Sequence, residues 1–141
     1  MEDQQRLQAL VNELNMYQQQ AELLQQQMEA MQATLGELES LENTVTALKE
    51  GDDLKTLVPV GAGSFVNAEI KNTDEIIMSV GAGVAITKTI DDAQKTITSQ
   101  KEEIREAMGK MSKNIQTLND MINKITPQAE QLLQKVQGSE Q

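Results

Sequence analysis

The 141-residue chain carries 22 acidic against 12 basic residues, a formal charge of −10, and has neither Cys nor His. That excludes a disulfide scaffold and thiolate metal sites, removes the commonest metal ligand and neutral-pH general base, and argues against binding nucleic-acid phosphates or anionic membranes. Tyr17 and Phe65 are the only aromatic residues, too few for a globular core of this size, whereas abundant Gln, Glu, Leu, Met and Ile suit long helices.

Residues 1–50 hold nine acids against two bases, Arg6 and Lys49. Leu7, Leu14, Ala21, Met28 and Leu35 form one track of seven-residue spacing, and Leu10, Tyr17, Leu24, Met31, Leu38 and Val45 form its companion. Alternating steps of three and four keep one stripe on a partner helix, so this segment is one arm of a coiled coil. The glutamine runs 18–20 and 25–27 meet the tracks only at their margins and belong to solvent faces. Toward the end Leu41 and Leu48 replace the expected track positions Glu42 and Lys49. The seam drifts there toward a 3.6-residue period, as if the helix left its partner to lie against something else. Lys49 meets the negative end of the helix macrodipole and Gly51 stops the helix.

Residues 51–88 change character. Leu57, Val58, Val60, Phe65, Val66, Ile70, Ile76, Ile77, Val80, Val84 and Ile86 are mostly β-branched and alternate with polar residues. Val60-Gly61-Ala62-Gly63 and Val80-Gly81-Ala82-Gly83 are near-copies, each between two strand-like runs, so the segment reads as two β-hairpins with Gly-rich turns, joined by Asn72-Thr73-Asp74. Pro59 cannot donate to a ladder and is expected at an edge or a bulge. Neither Gly-Ala-Gly segment carries the third glycine of a dinucleotide fingerprint or a Gly-Lys-Ser/Thr, which leaves turns as their role. Four short strands cannot bury a core alone, and bare edges invite pairing; the eleven apolar residues named are therefore expected to join other subunits in an obligate oligomer.

Residues 89–141 form the second arm. Thr89 with Asp92 three residues on is a capping-box variant. Ile90, Ile97, Ile104, Met111, Leu118, Ile125 and Leu132 lie on one track, Met108, Ile115, Ile122, Ala129 and Val136 on the other, and Gly138 ends the helix. Pro127 removes a backbone donor and is expected to interrupt the helix, as a frayed end or as a kink with Thr126 capping a short restart. The two arms are about equal in length, as an antiparallel pair of helices requires. Both chain ends then meet at one tip. The pairs Asp52-Asp53, Asp91-Asp92 and Glu102-Glu103 are adjacent in sequence and do not form a catalytic dyad on a helix. Met28, Met31, Met108 and Met111 fall on the seam as packing residues. Val11, Met16, Leu23 and Leu133 are apolar off the seam. With Leu7, Leu10, Leu14, Leu132 and Val136 they are expected to leave the tip partly exposed, a surface suited to varied partners.

The acidic Gln-rich helix, the run Leu57-Val58-Pro59-Val60-Gly61-Ala62-Gly63-Ser64-Phe65-Val66, its repeat Val80-Gly81-Ala82-Gly83-Val84-Ala85 and the second heptad helix together resemble prefoldin, the Gim complex. The paired hairpins between equal helices resemble its α class, of archaeal type. The resemblance implies a mainly α chain divided into a coiled-coil helix (1–50), a double-hairpin oligomerisation segment (51–88) and a second coiled-coil helix (89–141). It further implies a hexamer of two α and four β subunits, with the hairpins joined into a β-barrel platform from which coiled-coil tentacles hang. Tips carrying Leu7, Leu10, Val11, Leu14, Ile125, Leu132, Leu133 and Val136 would hold non-native proteins without ATP or any other cofactor. A group II chaperonin would receive them. No metal, nucleic acid or membrane partner is implied. No apolar run approaches a membrane span and the start, Glu2-Asp3, is unlike a signal peptide, so a cytoplasmic protein is expected. The alternative from the residues alone is a coiled-coil tether for one folded partner; an enzyme is disfavoured.

Overall fold

A computed structural model describes residues 2–51, 54–71 and 73–139. The elements run α1 (Glu2–Glu50), β1 (Leu54–Gly61), β2 (Ser64–Ile70), β3 (Glu75–Gly81), β4 (Val84–Thr89) and α2 (Ile90–Ser139). Two long helices with two small antiparallel hairpins between them is the architecture the heptads and the Gly-Ala-Gly repeats predict. Two compact units make up the chain: Met1–Ala33 with Arg105–Gln141, and Thr34–Ile104. The expected acid pair Asp52-Asp53 and the linker residue Asn72 lie outside the described residues.

In the first unit the start of α1 runs antiparallel to the end of α2, tied at one point by Lys135 Nζ, 3.7 Å from Asp3 Oδ2. Burial follows the two tracks: Leu7, Leu10, Leu14, Tyr17, Ala21, Leu24, Met28 and Met31 are half-buried, as are Met108, Met111, Ile115, Leu118, Ile122, Ile125 and Leu132, while Ala129 and Val136 are buried. The glutamine runs are exposed. Pro127 does not interrupt α2, which continues to Ser139. Nor does Thr126 cap a restart: its hydroxyl donates to the carbonyl of Ile122 at 2.7 Å, one turn back. One missing N–H is tolerated because the apolar track continues on both sides of it, so packing outweighs the local loss.

The second unit holds the best-buried cluster. Val45, Met78, Ile90, Ala93 and Ile97 are buried together, with Leu41, Leu48 and Ile76 packed against them. The drift of the α1 seam toward Leu41 and Leu48 thus has a structural cause: the last turns of α1 lie against β3 and the first turns of α2. Each large apolar side chain buried there contributes roughly 1.5–3 kcal/mol. Thr89 caps α2 as expected, its hydroxyl oxygen accepting from Asp92 N at 3.2 Å. At the end of α1, Gly51 N donates to Ala47 O at 3.1 Å. A Cβ at Gly51 would lie 2.6 Å from Leu54 Cδ2, so a larger residue there would have to displace the Leu54 side chain.

Each hairpin is a separate two-stranded sheet. In the first, Leu54 pairs with Ile70 and Val58 with Val66; in the second, Ile76 pairs with Lys88 and Met78 with Ile86. The register shifts between Pro59 and Gly61 and again between Ser79 and Gly81, which places Val60 and Val80 at equivalent bulges and Pro59 beside one of them. Both turns are two-residue loops with positive φ at each position: Ala62 at 48° and Gly63 at 74°, Ala82 at 52° and Gly83 at 74°. These are type I′ turns, whose twist matches that of the strands.

Candidate binding surfaces

In the second unit, pleating sorts the hairpin side chains into faces. On β3–β4, Ile76 and Met78 point into the internal cluster, so Ile76, expected at a subunit contact, packs within the chain. The opposite face carries Ile77, 73% exposed. Val80, Val84 and Ile86 are exposed as well. On β1–β2 one face aligns Val58 with Val66 and the other aligns Leu57 with Asn67 and Pro59 with Phe65. Leu57, Val58, Val60, Phe65 and Val66 are all exposed, Phe65 at 57%, while Leu54, Ala68 and Ile70 are half-buried. So many β-branched and aromatic side chains open to water on strands with free edges is a surface shaped for association. Met78, the strand residue that anchors the second hairpin, is invisible to a β-propensity reading because Met is not a strong strand former.

The chemistry of the second unit is electrostatic. Lys101 occupies a track position of α2 and is 9% exposed; its Nζ lies 3.2 Å from both carboxylate oxygens of Glu42. Lys49 Nζ meets Asp91 Oδ1 at 2.9 Å, an exposed pair that lowers the Asp91 pKa through the hydrogen bond and then the charge of Lys49. Lys88 Nζ donates to Thr96 Oγ1 at 2.8 Å. In sequence Glu42 is only a break in the apolar track and Lys101 is one more polar residue of α2, because neither side chain is apolar.

In the first unit, the residues expected at the tip divide. Val11 and Leu133 are exposed; Leu7, Leu10, Leu14, Ile125 and Leu132 are half-buried; Val136 is buried. Leu10 and Leu132 line a shallow groove together with Arg6, Gln128, Gln131 and Lys135. Two cations therefore edge the apolar patch, a feature that an apolar reading of the tip does not include. Met16 and Leu23 are also exposed, on the flank of α1. Tyr17, half-buried, donates its phenolic proton to Glu13 Oε1 at 3.0 Å. That bond, then partial burial and then the Glu13 charge, raises its pKa above the usual tyrosine value. Among the described residues, no helix is long and apolar enough to cross a membrane.

Comparison with known proteins adds the family. The family model for the prefoldin subunit matches residues 17–135. A prefoldin subunit alpha from Methanobrevibacter smithii is 45% identical over 139 residues, which cover 99% of this chain and 95% of that one. Its counterpart from Pyrococcus horikoshii is 31% identical over 131 residues, 92% of this chain and 88% of that one. Among solved structures, filamentous PFD from Methanocaldococcus jannaschii superposes with a TM-score of 0.70 at 24% identity, covering 83% of this chain and 98% of that one. A prefoldin beta subunit from a Thermococcus strain superposes with a TM-score of 0.61 at 21% identity, covering 89% and 90%. At those identities the superpositions speak for the fold alone. With a family match across both helices and both hairpins, and relatives similar along nearly their whole length, the chain belongs to the prefoldin family.

Proposed function

We propose that this chain is the α-class subunit of an ATP-independent molecular chaperone. The observation that carries the reading is the pairing of a hairpin surface rich in exposed Val, Ile, Leu and Phe with a separate set of exposed apolar residues on the helices of the first unit. The first set is the assembly surface: Leu57, Val58, Val60, Phe65, Val66, Ile77, Val80, Val84 and Ile86 join β-class subunits, in a hexamer of two α and four β chains. The second set, led by Val11 and Leu133, meets stretches of apolar side chain that a non-native protein exposes. Each such contact is small and weak, and several on one scaffold raise the effective concentration, so avidity gains roughly 10²–10⁴ over a single contact. The captured protein passes to a group II chaperonin in the cytoplasm. No residue is assigned a catalytic role.

The test is light scattering from a chemically denatured protein diluted into the complex of this chain with its β-class partner, without ATP. Suppressed aggregation at near-stoichiometric complex is the expected result. Scattering identical to buffer overturns the reading and favours a tether for a folded partner.

A further inference from the structure

At the tip of the first unit, the shallow groove that contains Leu10 and Leu132 is also lined by Arg6, Gln128, Gln131 and Lys135, and it holds about 220 Å³. A cavity of about 150 Å³ accepts a benzene ring, so one aromatic side chain fits. Val11 and Leu133, the open aliphatic residues of the same helices, do not line it. Each helix contributes one cation to the lining, Arg6 from α1 and Lys135 from α2. Lys135 meets Asp3 at 3.7 Å, an exposed and therefore weak pair. Of the ion pairs among the described residues, none takes Arg6. A cation beside an apolar surface is attracted to the negative face of a ring that rests on that surface. An aliphatic side chain meets Leu10 and Leu132 equally well but gains nothing from the cations. A carboxylate gains from the cations but is repelled by Glu2 and Asp3, one turn before Arg6, and by Glu13, one turn after Leu10. An aromatic ring uses both the apolar and the cationic lining and brings no charge to be repelled.

We propose that this groove takes the aromatic side chains of a non-native protein, the ring resting on Leu10 and Leu132 with its face toward Arg6 and Lys135. The inference rests on the chaperone reading and deepens it. Val11 and Leu133 meet any apolar side chain, whereas the groove discriminates among them. The Gln128 and Gln131 amides, which both donate and accept, suit the backbone that carries the ring. Large rings are mostly held inside folded proteins, so a groove that selects them selects chains that have lost native packing.

The test uses the full chain assembled with its β-class partner, with the methyl resonances of Leu10 and Leu132 as reporters. Three blocked amino-acid amides are titrated: phenylalanine, cyclohexylalanine, which keeps the ring's outline without its π system, and glutamate. Phenylalanine is expected to bind roughly two- to fivefold more tightly than cyclohexylalanine, although the latter is the more apolar. Arg6→Gln is expected to remove most of that preference while cyclohexylalanine binding and helix content stay unchanged, and Arg6→Lys to keep part of it. Cyclohexylalanine binding as tightly as phenylalanine overturns the proposal, as does a preference that survives Arg6→Gln/Lys135→Gln. Tighter binding of glutamate also overturns it and makes acidic segments the occupant. Shifts confined to other leucine methyls overturn it by placing the rings elsewhere. Aggregation suppression is measured on the same complex. Its presence without a phenylalanine preference overturns the groove and leaves the chaperone reading standing; its absence beside an intact preference overturns the chaperone reading and leaves the aromatic site.

Discussion

The ammonium of Lys101 sits 3.2 Å from each carboxylate oxygen of Glu42, inside a seam that is otherwise largely aliphatic. Sliding the helices by one heptad would set Lys101 against Leu35 in one direction or Lys49 in the other, an unpaired ammonium or a like-charge contact. A charged pair at seam positions thus selects one register. Removing only the acid should be the more damaging change. Glu42→Ala is expected to lower stability by about 1–3 kcal/mol, less than for a fully buried pair because Glu42 is partly solvated. Lys101→Met should be within about 1 kcal/mol of the parent. Urea unfolding of both variants checks the order, and a larger loss for Lys101→Met would contradict it.

The hairpin turns hold a stabilisation unused by the sequence. Ala62 and Ala82 adopt φ of 48° and 52°, where an L-residue with a Cβ is strained by roughly 1–2 kcal/mol. Asn is far better tolerated there, and Asn-Gly is the preferred type I′ pair. Ala82→Asn is expected to stabilise its hairpin by about 0.5–1 kcal/mol, read as slower amide exchange in β3 and β4.

Neighbouring strand positions should respond in opposite ways to one substitution. Ile77→Asp and Phe65→Asp place a charge on exposed faces; the individual chain should keep its helix content while the native mass of the complex falls. Met78→Asp buries an unpaired carboxylate and should cost more than about 3 kcal/mol of chain stability. Native mass spectrometry and circular dichroism together separate the cases. An intact complex with Ile77→Asp would contradict the assembly surface.

At the tip, Val11→Ser and Leu133→Ser alter exposed side chains and should weaken aggregation suppression without lowering the melting temperature. Val136→Ser, on a buried side chain, should lower stability by about 1–2 kcal/mol. Equal thermal losses in all three would make Val11 and Leu133 packing residues.

Tyr17 is the only tyrosine, so the ultraviolet absorbance of tyrosinate reports it alone. Its hydrogen bond to Glu13 holds the proton and raises its pKa in the folded chain. The associated stability is fully present below about pH 10, the unfolded value, and is lost as pH rises through the higher folded value. Glu13→Ala should bring the titration midpoint down toward the ordinary value. An unmoved midpoint would assign the shift to burial.

The helical arms and hairpins were legible because their periods differ: seven-residue recurrence of Leu, Met and Ile predicts the buried positions nearly one for one, and β-branched alternation around Gly-Ala-Gly marks the strands. What escaped were contacts decided by three-dimensional neighbours. Met78 becomes a core residue only because β3 lies on Val45 and Ile97, and Ile76 turns inward with it for the same reason. Glu42 reads as a break in the seam until Lys101 is seen opposite. Pro127 reads as a helix breaker, yet tertiary packing of Ile125, Ala129 and Leu132 carries the helix past it. The tip was predicted as a set, whereas side-chain direction splits it into open Val11 and Leu133 and closed Val136.

At the base of the second hairpin, Ile90 N donates to Asp74 O at 3.1 Å and the Thr73 hydroxyl donates to Gly51 O at 3.3 Å. The first amide of α2 is therefore satisfied by the residue just before β3, and the hairpin cannot fray at its base without unwinding the cap that Thr89 supplies. β3 and β4 are held in shape by hydrogen bonds and packing within their own chain. Ordering entropy that a loose hairpin would surrender on association, about 1–2 kcal/mol for each backbone residue fixed, has already been spent in folding. A partner that meets this hairpin finds its backbone already ordered, so less ordering entropy opposes association.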